Sequence, residues 1–331
     1  MPLIASTGKP RVILGLMTYG PDLKAAARIT SLDEFNQHLD YLQSQGYHEI
    51  DTARIYVGGQ QEAFTREARW KERGLKIATK VYPTEAGLHK PENLRRLFDL
   101  SLKELGTEQV DIFYLHAPDR SVPFAETLEE VNKLHKEGKF VELGLSNYTA
   151  FEVAEIVTIC NERGWVRPTI YQAMYNAISE SASHNCPSGG LFSGKIKSKD
   201  IKPDEGRFSD VSNDGERYRQ RYFKDETFRA LELVENVAAK HNLTLLEIAF
   251  RWLRHHSVLK WDNGGDDGVI LGVSSLDQLK NNLADLEKGP LPQEVVDTLD
   301  EAWLICKATT APYWHLELKY TYNTQAALFK K

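Results

Sequence analysis

Between Arg11 and Asn176 the chain alternates short apolar runs with longer stretches whose apolar residues recur at helical spacing, and few architectures accommodate that rhythm. Six strand-like runs, RVILGLMTYG, HEIDTA, LKIATKV, QVDIFYLHAPD, FVELGLSNY and TIYQAMYN, are separated by five helical patterns. In the first of these Ser31 precedes Leu32, Phe35, Leu39 and Leu42, and Gly46 closes it, which is a capped amphipathic helix. QQEAFTREARW predicts a second helix. KPENLRRLFDLSLKELG ends at Gly106, and PFAETLEEVNKLHKEG opens on Pro123 and ends at Gly138, the asymmetry that helix termini favour. Strand and helix in strict alternation imply a parallel sheet with right-handed crossovers. No GxGxxG follows the first strand, so nothing supports a dinucleotide fold of the Rossmann kind.

The ends of these strands carry polar residues that a buried strand does not need: Asp51, Lys80, His116, Ser146 with Asn147, and Gln172. A closed barrel brings the C-terminal ends of all its strands to one face, whereas an open sheet spreads them along an edge, so the barrel accounts better for the pattern. Tyr56, followed by Gly58 and Gly59, sits in the strand-to-helix loop just after Asp51. Beyond Asn176 the rhythm breaks into a Gly-, Ser- and Pro-rich stretch that reaches Phe223. Helices resume with DETFRALELVENVAAKH and TLLEIAFRWLRHH, then a strand GVILGVS, a helix SLDQLKNNLADLE and a further helix PQEVVDTLDEAWLICK. The chain reads as one domain over residues 1–331, with a tail from about 308 that includes Tyr313, Trp314 and His315 and has no assigned structure.

A formal net charge of -6 over 331 residues argues against a general affinity for nucleic acid, and the basic run KSKDIK reads as a solvated loop. Cys160, Cys186 and Cys306 are odd in number, widely spaced and without metal-ligand spacing, so no metal is expected and a reducing, cytoplasmic compartment fits best. No stretch has the pattern of a signal peptide or the roughly 18 apolar residues of a membrane span. The expected partner is a small-molecule carbonyl substrate, with no nucleic acid and no membrane; a homodimer is an option that the sequence does not decide.

On one rim, Asp51, Tyr56, Lys80 and His116 suit the reduction of a carbonyl group. A tyrosine can protonate a developing alkoxide, but its free pKa of about 10 makes it a poor acid at neutral pH. A neighbouring ammonium stabilises the phenolate; Lys80 is the candidate, with Asp51 to hold it and offset its desolvation. His116 is a candidate to hydrogen-bond the carbonyl or relay a proton. Taken singly, each has an ordinary reading: a strand-end turn former, a packed ring, an interior ion pair, a structural histidine.

The segments IDTARIY, KIATKV, DIFYLHAPD, LGLSNY and YQAMYN, in that order, resemble the aldo-keto reductase superfamily. YLHAPD, GGLFSGK, GRF and ILGVSSLDQLKNNL resemble its aflatoxin-aldehyde and succinic-semialdehyde reductase branch, and the similarity runs from about Arg11 to His315. The resemblance implies a (β/α)8 barrel binding NADPH, with NADH the alternative, and a catalytic tetrad of Asp51, Tyr56, Lys80 and His116. It assigns Ser146, Asn147 and Gln172 to the nicotinamide carboxamide, the turn Gly189-Gly190-Leu191 with Lys195 to the pyrophosphate, and Ser274, Gln278, Asn281 and Asn282 to the adenosine phosphate. Arg207 matches a position that contacts acidic substrates, and His116 also faces the substrate. Where the branch commonly ends in an arginine this chain has His315, which points to a different aldehyde or ketone, in a specialised, secondary-metabolite pathway.

The family has a helix and a seventh strand, with a nicotinamide-stacking tyrosine, before the Gly-Gly turn. Here only the nine residues ESASHNCPS intervene after Ser179, fewer than the roughly 10 to 12 that a crossover alone requires. The expected fold is therefore a barrel incomplete around strand seven, with the nicotinamide pocket open on that side, low stability and weak turnover. The alternatives are a cofactor-binding module of regulatory or partner-binding role, like the channel-associated β subunits of this fold, or a variant that has lost a coding segment.

Overall fold

The structure, a computed structural model, describes residues 9–172, 174–178, 191–192, 194, 196, 198–200, 202–204, 208–210, 215–261 and 266–329. Two compact units form. One comprises Tyr19–Pro21, His48–Ala173 and Tyr313–Lys331; the other comprises Met1–Thr18, Asp22–Tyr47 and Met174–Pro312.

The first unit holds β2 (Glu49–Asp51), α2 (Gln61–Glu67), β3 (Lys76–Val81), α3 (Pro91–Leu105), β4 (Val110–Leu115), α4 (Phe124–Lys136), β5 (Phe140–Ser146), α5 (Ala150–Arg163) and β6 (Pro168–Gln172), with α11 (Thr324–Phe329) from the tail. Its strands follow the order β6-β5-β4-β3-β2, all parallel. The second unit holds β1 (Arg11–Gly15), α1 (Leu32–Ser44), α6 (Gly215–Tyr222), α7 (Asp225–Lys240), α8 (Leu245–His255), β7 (Gly268–Gly272), α9 (Leu276–Glu287) and α10 (Gln293–Cys306). There β1 and β7 pair in parallel from Arg11 with Gly268 to Gly15 with Gly272.

Local chemistry places the helix ends. Ser31 accepts a hydrogen bond from the Glu34 amide at the start of α1, Pro91 opens α3, and Gly106 closes it at φ 69°. Thr149 and Glu152 form a reciprocal capping box on α5. The expected second helix ends early: α2 stops at Glu67, and Arg69 turns left-handed at φ 59°. That turn buries Trp70, whose indole donates to the Leu105 carbonyl at 3.0 Å. The strand expected over HEIDTA is short in the same way, but its ladder continues as the Thr52 and Arg54 amides donate to the carbonyls of Ala78 and Lys80, each at 2.9 Å. Two helices, α6 and α11, fall in stretches for which the sequence predicts none.

Parallel strands are covered on both faces, so their residues are buried on both. Phe98 of α3 stacks on Phe113 of β4 with centroids 4.1 Å apart, and Phe140 of β5 packs against both. Amid this apolar packing Lys80 is wholly buried, among the largest side chains to be so. Among the described residues no strand stands between β6 and β7; β6 pairs with β5 alone and β7 with β1 alone. The nine-residue segment Glu180–Ser188 lies outside the described residues.

The register between β5 and β6 shifts between Leu143 and Gly144. Gly144 sits against Tyr114 of β4 so closely that a Cβ there would fall into the Tyr114 ring. Gly144→Ala should therefore cost roughly 1–3 kcal/mol through overpacking. A urea titration should show a lowered midpoint with the slope unchanged; an unchanged midpoint would mean that Tyr114 moves freely.

Candidate active site

At the C-terminal ends of β2, β3 and β4, all in the first unit, four of the sequence-predicted residues come together. Asp51 ends β2 and Lys80 lies near the end of β3, and parallel pairing of these strands sets Asp51 opposite Ala78, two residues before Lys80. The two form an ion pair through Lys80 Nζ and Asp51 Oδ2. Lys80 Nζ also donates to the Thr52 carbonyl at 2.7 Å and lies 3.5 Å from Tyr56 Oη. Its ammonium stands over two aromatic rings, 5.2 Å from the Tyr56 centroid and 5.7 Å from that of Tyr114. The other Asp51 oxygen accepts from Gln172 Nε2 at 3.0 Å. His116, the residue after β4, meets the Tyr56 ring edge-on at 5.8 Å.

The electrostatics follow from burial. Desolvation pushes the Lys80 pKa below the ordinary lysine value, and the Asp51 and Glu62 charges oppose that push without cancelling it. Removing either partner of such a buried pair leaves the other uncompensated, at a typical cost of about 3–5 kcal/mol. An ammonium beside a phenol favours the phenolate, so the arrangement can make Tyr56 a proton donor to an oxyanion.

Ser146 ends β5, opposite Gln172 of β6 in register. Asn147 follows at φ 62°, a left-handed conformation that asparagine tolerates better than most residues. Its side-chain amide donates to the His116 carbonyl at 2.8 Å and to Ser146 Oγ at 2.9 Å. Ser146, Asn147 and Gln172 thus bring hydroxyl and carboxamide groups, donors and acceptors both, beside the Asp51–Lys80 pair.

The tail, which the sequence leaves unassigned, covers this region of the unit. Arg120, just after β4, pairs with Glu152 through two nitrogens, at 2.6 and 3.0 Å. Its remaining terminal nitrogen donates to the carbonyls of His315, Leu316 and Glu317, at 2.9, 3.3 and 3.0 Å. Tyr320 donates to Glu152 at 2.8 Å, and the His315 amide donates to the Asn147 carbonyl at 3.1 Å. Burial raises the Glu152 pKa, but hydrogen bonds from Arg120, Thr149 and Tyr320 outweigh it and leave the carboxyl below its ordinary value. His315 reaches the Tyr82 ring at 6.1 Å, and Tyr82 in turn packs edge-on against His116 at 5.3 Å.

In the second unit Ser274 and Gln278, expected at the adenosine phosphate, lie at the start of α9, and Asn281 and Asn282 lie midway along it. Ser275 caps the helix, and the Ser274 amide and hydroxyl both donate to Gln278 Oε1, at 2.9 and 3.0 Å. Asn281 and Asn282 line a cleft of about 710 Å³ with Phe192, Thr244 and Leu245. Lys280 stands 5.7 Å from the Tyr41 ring centroid. Leu191 is buried. Gly189, Gly190, Lys195 and Arg207 lie outside the described residues.

Sequence reasoning missed Tyr82, Tyr114 and the Arg120–Glu152 pair. Tyr82 was within reach, because it lies just past the end of β3, two residues after Lys80. The Thr-x-x-Glu spacing of Thr149 and Glu152 was a legible cap, but not its bond to Arg120. Tyr114 and Arg120 depend on strand register and on a tail nearly two hundred positions away, which no local pattern encodes.

Residues 11–304 match the aldo/keto reductase family, and the chain belongs to that family. It is an oxidoreductase that acts on carbonyl groups. It is 41% identical to the aflatoxin B1 aldehyde reductase member 2 of Mus musculus over 321 residues, which covers 89% of this chain and 85% of that protein. It is 36% identical to the aldo-keto reductase pigE of Monascus ruber over 334 residues, covering 92% and 97% of the two chains. An aldo/keto reductase from Klebsiella pneumoniae, solved in complex with NADP and acetate, superposes with a TM-score of 0.64 at 19% identity, over 93% of this chain and 96% of that one. The fold is accordingly the (β/α)8 barrel type of the family, incomplete around strand seven, with seven strands among the described residues.

The Arg120–Glu152 pair accounts for the placement of the tail. Arg120→Met should speed amide hydrogen exchange over residues 315–321 by roughly 10²-fold, the equivalent of about 3 kcal/mol, while β3 and β4 stay protected. Equal exchange in parent and variant would remove Arg120 from that role.

Proposed function

We propose that this chain reduces an aldehyde or ketone to an alcohol with NADPH as cofactor and Tyr56 as proton donor. The observation that carries the reading is the placement of Tyr56 Oη 3.5 Å from the buried Lys80 ammonium, itself paired with Asp51. When bound, NADPH supplies a hydride to the carbonyl carbon. The donor set beside the tetrad fits such a cofactor: Ser146, Asn147 and Gln172 offer the donors and acceptors that a nicotinamide carboxamide requires. The resemblance assigns Ser274, Gln278, Asn281 and Asn282 to its adenosine phosphate; the cleft beside Asn281 and Asn282 is lined by Phe192 and Leu245 together with the charged Glu235, Glu247, Asp285 and Lys288.

The residues then divide the work. Lys80 lowers the cost of deprotonating Tyr56, and Asp51 with the Thr52 carbonyl keeps the ammonium in place. His116, edge-on to Tyr56, orients the carbonyl oxygen toward the phenol. Tyr82 and His315 extend this aromatic wall. That wall suits a substrate with an apolar or planar body, and His315 in place of a terminal arginine supports a substrate other than a short acidic aldehyde. The likeness to the fungal pigE protein supports a place in a specialised, secondary-metabolite pathway.

Fluorescence titration with NADPH, followed by a panel of aldehydes that includes 4-nitrobenzaldehyde, tests the reading. Binding with turnover is expected; binding without turnover would favour a cofactor-binding module, and no binding would overturn the proposal. Tyr56→Phe should lower kcat by roughly 10²-fold or more, the lower range for loss of a general acid, with NADPH affinity near that of the parent. The pH profile has a definite sign. Lys80 supports the phenol only as the ammonium, and its pKa is lowered by burial. Activity should therefore fall as pH rises through that lowered value, on the neutral side of an ordinary lysine. A rate that holds level up to the ordinary lysine range would exclude this role for Lys80.

A further inference from the structure

Tyr56 opens a turn of unusual backbone conformation. Val57 lies at φ 49° and ψ 50°, and Gly58 and Gly59 follow at φ 60° and 86°. A left-handed conformation is disfavoured for any residue with a Cβ and most of all for a β-branched one, so a valine there persists only where the surroundings over-determine it. Backbone bonds account for part of this: the Tyr56 amide donates to the Ala53 carbonyl and the Gln60 amide to the Val57 carbonyl, each at 3.1 Å. The Val57 side chain is buried.

Arg54 spans the rest. One terminal nitrogen donates to the Gly59 carbonyl, and the other donates to Glu62 Oε2 at 2.5 Å. Glu62 is fully buried at the start of α2, and its second oxygen accepts from Thr79 Oγ1 at 2.6 Å. Thr79 is the neighbour of Lys80 on β3. The Arg54 amide meanwhile donates to the Lys80 carbonyl at 2.9 Å. A single guanidinium therefore closes the turn that carries Tyr56 and, through Glu62 and Thr79, ties it to the strand that carries Lys80. Gly59 accommodates this arm: a Cβ there would stand 2.7 Å from the Arg54 guanidinium.

We propose that Arg54 is a positioning residue for Tyr56: by bridging the Gly59 carbonyl and the Glu62 carboxylate it holds the left-handed turn in the conformation that sets the Tyr56 hydroxyl against Lys80. This rests on the reading of Tyr56 as the proton donor. Arg54 itself touches neither Lys80 Nζ nor the Tyr56 hydroxyl among the hydrogen bonds described above. Among the described residues, charged and titratable groups facing Tyr56 include Lys80 from β3, with Asp51 of β2 behind it, and His116 after β4. A lysine at position 54 lacks the fork that reaches both acceptors at once.

The test pairs kinetics with a readout that does not need turnover. With NADPH and 4-nitrobenzaldehyde, Arg54→Met should lower kcat by about 10-fold or more, within the range that a small misplacement of a reacting group produces, with little change in KM for NADPH. Arg54→Lys should recover part of the loss. In a Tyr56→Phe background Arg54→Met should cost almost nothing further, because both changes remove one function. Independently, the ζ-carbon resonance of Tyr56 in protein carrying ζ-¹³C-tyrosine, assigned by its loss in Tyr56→Phe, should titrate at higher pH in Arg54→Met than in the parent. Arg54→Lys keeps the charge but lacks the fork, so it should move the resonance the same way by a smaller amount, and it serves if Arg54→Met fails to fold. Additive losses in the double variant, or a Tyr56 titration unmoved in both single variants, would overturn the proposal. A parent that binds NADPH without turnover would count against Tyr56 as the donor, while the titration still decides whether Arg54 positions the phenol.

Discussion

A lysine ammonium inside a parallel sheet is the constraint around which the first unit is arranged. Lys80 is fully buried, and a charge in that position is tolerated only when its partners are complete. Asp51 supplies the counter-charge, the Thr52 carbonyl a second acceptor, and the rings of Tyr56 and Tyr114 their electron-rich faces. Each partner comes from a different place in the register: the end of β2, the loop after it, and the neighbouring strand β4. The close pairing of β4 and β5 at Gly144 is part of the same arrangement, because it leaves room for the Tyr114 ring that the ammonium faces.

From this pair the functional elements extend in two directions. Toward α2, Arg54 and Glu62 anchor the left-handed turn that delivers Tyr56. Toward β5 and β6, Gln172 shares Asp51, and Asn147 ties the loop after β5 to the backbone of His116. Arg120 and Glu152 form a further buried ionic hub, which secures both the cap of α5 and the tail where His315 meets Tyr82. Three charged pairs, Asp51–Lys80, Arg54–Glu62 and Arg120–Glu152, join apolar contact in holding the loops of this unit. Apolar packing is tolerant of small shifts among similar side chains; a bidentate ion pair with directional bonds is far less so.

The alternation of strand and helix was legible because both periods are strong between Arg11 and Gln172, and glycine, proline and serine punctuate them. Asp51, Lys80, His116 and Gln172 stood out because charged and polar side chains at the ends of buried strands need a reason. The early end of α2 was hidden: QQEAFTREARW has good helix formers throughout, and burial of Trp70 with its bond to Leu105 overrides that propensity. Helix α6 was hidden for the opposite reason, as GERYRQRY has tyrosine but no aliphatic residue to mark a face. Arg54 carries no local signal, since nothing in the sequence around it announces that Glu62 is buried and accepts from it. The tail could be read only once strand register had brought Arg120 to it.

The central claim is that this tetrad reduces a carbonyl at the expense of the nicotinamide cofactor. Its most direct test is transfer of label. Protein incubated with NADPH deuterated at the reactive C4 position and with 4-nitrobenzaldehyde should give 4-nitrobenzyl alcohol with one deuterium on the carbinol carbon, read by proton NMR or mass spectrometry. Cofactor that binds and stays reduced, with no deuterium in any alcohol product across the aldehyde and ketone panel, would contradict the account.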